Sequence, residues 1–293
     1  MTPRTVRGYK TALTNHYSPD VVDIKNSDSL TRLLTKYFND KPPVISKVLP
    51  WDLGKVLNLL CNPPFEPLQT ATLKCLTFKT VFLFALASGR RRSEIHSLDF
   101  HSLKWSEQNG VTLLSISPVL GFLPKNQRST DSKPQNIVIP SLPCGSEANI
   151  SSTQDQLLCP IRSIIKYIDR TKEMRHDKQK LFISYLPSKV GDICSITISS
   201  WLRNTIQMAY STNGDDSSTP KGIRPHQIRS AAASWALKGG VSISQLMDAC
   251  YWHSKNTFIS FYLKDCWSQG DGRFSFGPIV SAGTVVGSHS GVG

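Results

Sequence analysis

The chain has 293 residues, 39% of them hydrophobic and 19% charged, which excludes a disordered protein and allows a sizeable buried core. Its formal net charge of +13 favours a polyanionic partner. The seven cysteines are odd in number and include no C-x-x-C pair, so they indicate neither a zinc ribbon nor a disulfide framework. We therefore expect reduced thiols in an intracellular protein, without a membrane span or a secretory signal.

Residues 1 to 70 are predicted to form short helices. Thr5 to Leu13 carries basic residues, and Ser27 to Phe38 repeats apolar residues at helical spacing. Asp52 is predicted to cap a third helix that ends at Leu60. Three short helices provide little material for a separate core. We therefore expect the front of a helical domain to be missing from this sequence.

A central buried helix is predicted over Leu73 to Ser88, because this segment is apolar on nearly every side. Gly89 ends the pattern, and three consecutive arginines at positions 90 to 92 follow it. A solvated run of charge is one interpretation. The other is that Arg91 turns inward to bind a phosphate and is held by Glu94, three residues further on.

A β-hairpin is predicted next, from two short β-prone runs at Val111 to Ile116 and Ile137 to Ile139. The polar segment between them carries three basic residues, Lys125, Arg128 and Lys133. Two amphipathic helices follow, over Pro160 to Arg170 and Ile196 to Ala209.

The segment from Pro225 to Tyr262 holds the densest group of reactive side chains. His226 and Arg229 lie on one face of a helix that is predicted to end at Gly239. A capping box at Ser242 begins the next helix, and the last helix carries Tyr262. Trp252 and His253 lie between these two helices.

These residue types suit the attack of a tyrosine on a DNA phosphodiester. Two arginines, Arg91 and Arg229, can bind the non-bridging oxygens and offset the charge of the transition state. A lysine can protonate the leaving 5′ oxygen, and His226 can accept the tyrosine proton or bind the phosphate. Tyr262 would form a covalent 3′-phosphotyrosyl intermediate that preserves the bond energy for religation. This chemistry requires neither a metal nor another cofactor.

The chain resembles the catalytic domain of the tyrosine recombinase, or phage integrase, family. Residues 87–95, Ala-Ser-Gly-Arg-Arg-Arg-Ser-Glu-Ile, are similar to the family's A-T-G-x-R-x-S-E-L box. His226-Gln227-Ile228-Arg229 matches H-x-x-R, and Trp252-His253-Ser254-Lys255 resembles the family's G-H-S-S phrase. The resemblance covers residues 70 to 265 and implies a mainly α-helical fold with a small antiparallel β-sheet.

The resemblance also implies the site residues. The catalytic set is Arg91, Lys125, His226, Arg229, His253 and Tyr262, with Glu94 in support and no metal ligand. His253 is preferred over Trp252 because it precedes Tyr262 by nine residues, the usual interval in the family. Tyr262 is preferred over Tyr251 for the same reason. Lys133 stays open as the alternative to Lys125, and Trp252 is expected to be a core residue.

The phrases FLFALASGRRRSEIHSL and WHSKNTFISFY are similar to recombinases of DIRS-like and Ngaro-like retrotransposons. This resemblance implies a nuclear enzyme that integrates a mobile element into double-stranded DNA and self-associates into a dimeric or tetrameric synapse. Residues 1–70 would be part of a helical core-binding domain, residues 71–266 the catalytic domain, and residues 267–293 a tail rich in Gly, Ser and Val. DNA contacts are expected from Arg4, Arg7, Lys10 and Arg128.

Two alternatives remain at this point. A relic of such a recombinase would bind DNA but no longer recombine it, and the short N-terminal region favours this interpretation. A type IB topoisomerase has nearly the same chemistry, but its position corresponding to His226 is typically a lysine. The H-x-x-R box therefore favours the recombinase.

Overall fold

The computed structural model divides the chain into two compact units, Met1–Ser46 and Lys47–Gly293. The predicted division lay near residue 70. That functional boundary stays a prediction. The helix Leu53–Leu60 packs its apolar side chains into the core of the second unit. The role of the N-terminal residues in DNA binding stays a prediction. The structure describes residues 3–17, 23–40, 48–124, 136–142, 156–186, 191, 193–211, 220–250, 252 and 254–264.

The first unit contains two helices, α1 (Pro3–His16) and α2 (Asp28–Asp40). Among their described side chains none is buried. The guanidinium of Arg7 on α1 stacks over the ring of Phe38 on α2, 4.4 Å from its centroid. An aromatic–cation contact and half-buried apolar side chains therefore join these helices, without a closed core between them.

The second unit is mainly α-helical, as predicted. None of the described helices has the length and hydropathy needed to cross a bilayer. Its helices are α3 (Leu53–Leu60), α4 (Leu73–Ser88), α5 (Arg92–His96), α6 (Pro160–Arg175), α7 (Ser195–Ser211), α8 (His226–Lys238), α9 (Ile243–Ala249) and α10 (Lys255–Thr257). A 3₁₀ turn covers Phe100–Ser102, and α10 continues into a π-helical turn at Phe258–Tyr262.

Helix α4 is the central helix, and every side chain from Cys75 to Ser88 is buried. It packs against α6, α7, α8 and one strand of the sheet, which explains why it is apolar on all sides. The Thr72 hydroxyl accepts a hydrogen bond from the Cys75 amide and caps the helix start. Gly89 ends the helix in the left-handed conformation.

The sheet has three antiparallel strands, β1 (Lys104–Gln108), β2 (Val111–Ile116) and β3 (Ile137–Pro140), in the order β1-β2-β3. The predicted pairing of β2 with β3 is confirmed, with Leu114 opposite Ile139. Strand β1 was not predicted. All five of its residues are exposed, so it lacks the apolar alternation that indicates a strand.

Candidate active site

Arg91 lies immediately before α5, where the chain leaves the central helix. Its Nη1 donates to Glu94 Oε1 at 2.8 Å, and its backbone amide donates to Glu94 Oε2 at 3.3 Å. Arg90 Nη1 lies 3.8 Å from the same carboxylate. Because Glu94 is buried and binds both the backbone and the guanidinium of Arg91, it fixes the direction of that side chain. This is the contact that the spacing of the two residues predicts.

Gly89 connects this arginine segment to the other half of the site. Its φ of +58° lies in the left-handed region, where a side chain is disfavoured. A Cβ at this position would stand 2.8 Å from the Sγ of Cys250, at the end of α9. The absence of a side chain therefore lets the segment after α4 approach the segment that leads to Trp252.

Gly89→Ala is expected to destabilise the second unit by about 2–3 kcal/mol, from backbone strain together with the contact to Cys250. Urea unfolding of both proteins measures the difference. In the double variant with Cys250→Ala, the steric part should be relieved while the backbone part remains. If the double variant loses as much free energy of unfolding as the two single variants together, Gly89 and Cys250 do not interact.

Helix α8 presents His226 and Arg229 one turn apart. His226 is exposed at the first residue of the helix, whereas Arg229 is buried. Gln227 lies between them, and its Oε1 accepts from Trp51 Nε1 at 3.1 Å and from the Arg224 amide at 2.9 Å. The bond from the buried Trp51 anchors the start of α8 to the core, and the bond from Arg224 fixes the turn before the helix.

Arg229 is only 3% exposed, and two of its three nitrogen atoms have no hydrogen-bond partner among the described residues. Its Nη2 donates to the backbone carbonyl of Cys250. Its Nε and Nη1 are buried without a hydrogen-bond partner among the described residues. Each such donor costs about 1–3 kcal/mol, so a structure that retains two of them calls for an explanation.

Several of the predicted site residues affect the pKa of Arg229. Burial lowers the pKa of Arg229, and the charge of Arg91 lowers it further. The groups of Cys250, Glu94 and Tyr262 act in the opposite direction. The charges of Arg91 and Glu94 therefore act on the guanidinium, whose carbon lies 5.7 Å from the ring centroid of Tyr262.

Aromatic rings complete this side of the site. The Arg229 guanidinium carbon lies 4.6 Å from the ring centroid of Trp252 and 5.7 Å from that of Tyr262. The Trp252 ring also packs at a tilt against the rings of Tyr262 and Phe258, each at a centroid distance of 4.8 Å. Tyr262 is half-buried, whereas Trp252 is buried. The tyrosine is thus placed beside the buried arginine by direct ring contacts.

Other predicted residues fall elsewhere. Arg4, Arg7 and Lys10 lie on α1, in the first compact unit. The remaining predictions, Lys125 with its alternative Lys133, Arg128 and His253, lie outside the described residues. Within the described part of the chain there is no cluster of three or more metal-ligating side chains.

Trp252 has a larger part in the site than its sequence context indicated. It was predicted to be a core residue, and it is buried, but its ring contacts both Arg229 and Tyr262. Its indole Nε1 is a third buried donor without a partner among the described residues. Cys250, whose backbone carbonyl accepts from Arg229 Nη2, was not among the predicted site residues. The sequence feature that could have indicated a place in the site is its position directly before Tyr251 and Trp252.

The arrangement suits a bound oxyanion. Arg91 and Arg229 supply positive charge, and the two unsatisfied donors of Arg229 need acceptors. An anion with several oxygens, such as a phosphodiester, satisfies planar guanidinium donors in pairs.

Comparison with known proteins gives similarities of fold at low sequence identity. No family model and no curated protein match the chain. A crystal structure of XerA recombinase is 17% identical, with a TM-score of 0.46 over 90% of this chain and 80% of that chain. XerH site-specific recombinase bound to its difH substrate in a pre-cleavage complex is 12% identical, with a TM-score of 0.45 over 98% and 71%. A lambda integrase dimer bound to a COC′ core site is 12% identical, with a TM-score of 0.44 over 92% and 67%.

Proposed function

We propose that this chain cleaves and rejoins DNA strands through a covalent tyrosine–DNA intermediate, with Tyr262 as the nucleophile. The observation that carries the proposal is the state of Arg229. Its guanidinium is buried beside Tyr262 with two donors that have no partner among the described residues. A scissile phosphate supplies the acceptors that these donors lack.

The reaction begins with attack of the Tyr262 hydroxyl oxygen on phosphorus. A bond forms between this oxygen and the phosphorus atom, and the bond to the 5′ oxygen of DNA breaks. His226 accepts the tyrosine proton, and a lysine donates a proton to the leaving 5′ oxygen. Arg91 and Arg229 bind the non-bridging oxygens, where negative charge develops. The reverse attack by a 5′ hydroxyl restores the DNA and the free tyrosine.

Two members of the catalytic set come from the family resemblance alone. We propose Lys125 as the lysine that protonates the leaving group, with Lys133 as the alternative. We propose His253 as a further donor to the phosphate. The boxes around Arg91, His226 and Tyr262 support a tyrosine recombinase, and they also support these two assignments.

We also propose a biological setting for this reaction. The net charge of +13 fits a double-stranded DNA partner. The phrases shared with DIRS-like and Ngaro-like elements support site-specific integration of a mobile element in the nucleus. Self-association into a synapse on DNA follows from the same resemblance, because strand exchange joins two duplexes. The basic residues of α1, Arg4, Arg7 and Lys10, together with Arg128, are proposed DNA contacts.

Tyr262→Phe is expected to abolish covalent attachment to DNA, because phenylalanine lacks the attacking oxygen. The test incubates the protein with a pool of nicked suicide duplexes of randomised sequence and denatures the mixture. The wild-type chain should give a protein–DNA adduct that survives denaturation, and the variant should give none. Tyr251→Phe is the matched control, and its adduct should form as in the wild type.

The same assay separates the alternatives. A wild-type chain that gives no adduct but binds DNA in a salt-sensitive way would be a non-catalytic relic. An adduct that forms equally in Tyr262→Phe and disappears in Tyr251→Phe would place the nucleophile at the other tyrosine. Relaxation of supercoiled plasmid without exchange between duplexes would favour a topoisomerase over a recombinase.

A further inference from the structure

A buried serine on α8 contacts the backbone that carries Tyr262. Ser234 lies five residues after Arg229 on the same helix and is 2% exposed. Its hydroxyl donates to the backbone carbonyl of Tyr262 at 3.3 Å. The same oxygen accepts from the backbone amide of Lys264 at 2.8 Å. One side chain therefore binds the backbone on both sides of Leu263, at the carbonyl before it and the amide after it.

The segment held by Ser234 is an irregular helix end. Phe258–Tyr262 forms a π-helical turn, and the amide of Leu263 donates to the carbonyl of Phe258 at 3.0 Å. The last carbonyls of a helix have no partner within the helix, so they need one from outside. Ser234 supplies it for Tyr262. The end of this turn is thus bound to α8 as well as to its own preceding residues.

Helix α8 also carries the arginine that faces the tyrosine ring. The Arg229 guanidinium carbon is 5.7 Å from the Tyr262 ring centroid, and the Ser234 hydroxyl contacts the Tyr262 backbone. Both contacts originate from one helix whose residues 228 to 234 are all buried. A buried helix is a rigid support, so the two contacts together set the position of the tyrosine relative to the buried charge.

We propose that Ser234 is a positioning residue that holds Tyr262 at the attack distance from a phosphate bound to Arg229. This inference rests on the function proposed above. It assigns Ser234 no contact with DNA and no proton transfer. Displacement of a reacting group by about 1 Å can reduce a rate by about a hundredfold, so loss of two backbone contacts matters most for the cleavage step.

Ser234→Ala removes both hydrogen bonds and is the primary variant. We expect its adduct to form about ten- to a hundredfold more slowly, with DNA affinity unchanged. Ser234→Thr keeps the hydroxyl and should restore most of the rate. Ser230→Ala is the matched control, since Ser230 is also buried on α8, one turn before Ser234. Its rate should remain at the wild-type level.

Hydrogen–deuterium exchange of the free proteins provides a readout that does not depend on catalysis. The Lys264 amide donates to Ser234, so its exchange should be faster in Ser234→Ala and unchanged in Ser230→Ala. Equal slowing of the adduct in both alanine variants would indicate a general packing effect and overturn the proposal. So would an unchanged exchange rate at Lys264 in Ser234→Ala.

If the chain does not cleave DNA, the two experiments give a different combination of results. In that case the wild-type chain gives no adduct, and the exchange measurement alone decides the anchoring. Faster exchange confined to residues 262–264 would still support Ser234 as the anchor of this segment. Uniform exchange in all variants would overturn it, whatever the chemistry of the site.

Discussion

Replacing Arg229 by methionine is expected to stop DNA cleavage without weakening the fold. Arg229 is a buried cation that makes one hydrogen bond, to the Cys250 carbonyl, and leaves two donors unsatisfied among the described residues. Methionine of similar length fills the same volume and buries no unpaired donor. Removal of the two unsatisfied donor atoms relieves a desolvation cost of about 1–3 kcal/mol each, which offsets the loss of the bond to the Cys250 carbonyl.

The loss of activity in Arg229→Met should be large. A preorganised donor to the developing oxyanion contributes about a hundred- to a thousandfold in rate. The guanidinium also stacks on Trp252 and lies close to Tyr262, so its removal disturbs the placement of the nucleophile as well. The adduct assay on nicked duplexes measures the rate, and urea unfolding measures the stability.

Arg175→Met is the matched control for this prediction. Arg175 is equally buried, but its donors are satisfied by Thr171 Oγ1 and by the carbonyls of Lys180 and Leu181. Its removal leaves those three acceptors unpaired and should cost about 2–5 kcal/mol. If Arg229→Met lost as much stability as Arg175→Met, Arg229 would be a structural cation and not a ligand-binding one.

Glu66→Gln is expected to destabilise the second unit by about 3–5 kcal/mol. Glu66 Oε1 accepts from Lys79 and from Arg162, and Oε2 accepts from Arg162 at 2.9 Å and from the Leu68 amide at 3.1 Å. Lys79 is fully buried on the central helix α4. Removal of the one carboxylate leaves two cations near each other with no counter-charge, one of them fully enclosed.

Urea unfolding at neutral pH tests this prediction. Asp169→Asn is the control, because the Lys166–Asp169 pair is a surface ion pair whose aspartate side chain is 63% exposed. Screening by water and salt makes such a pair weak, so its loss should leave the unfolding curve nearly unchanged. An equally small effect of Glu66→Gln would mean that the cluster contributes little and that Lys79 is neutral in the folded protein.

The pH dependence of the same variant has a defined sign. Burial raises the pKa of Glu66, but the hydrogen bonds from Arg162 and Lys79 outweigh it and hold the pKa below its ordinary value of 4.5. A carboxyl group with a lowered pKa stabilises the fold above its unfolded value, and this contribution is lost as the pH falls through the folded value. The stability difference between wild type and Glu66→Gln should therefore narrow in acid.

Several elements could be predicted because their signal is local. The buried helix α4 is apolar on all sides, and its Gly89 stop is a conformational property of one residue. The capping box of Ser242 with Gln245 is observed as predicted. The contact of Arg91 with Glu94 needs only three residues of spacing. The capping box and the contact of Arg91 with Glu94 join groups that are neighbours along the chain, so no distant packing is needed to bring them together.

Other features had no local signal. Strand β1 forms because β2 offers it a partner edge, since its own residues are exposed and lack alternation. The division between the compact units falls at residue 46 because α3 packs against the core that follows it, which short helical periodicity cannot indicate.

The amino-acid pattern was sufficient for the fold class, the central helix and the contact of Arg91 with Glu94. Spacing conveys these because they follow from helical geometry and from the charge of each side chain. The pattern did not reveal that Arg229 lies beside the rings of Trp252 and Tyr262, with two donor atoms that have no partner among the described residues. Nor did it reveal the hydrogen bond from Ser234 to the Tyr262 carbonyl. They depend on packing between α8 and a segment about 20–30 residues away, where contact is set by the shared core and not by periodicity.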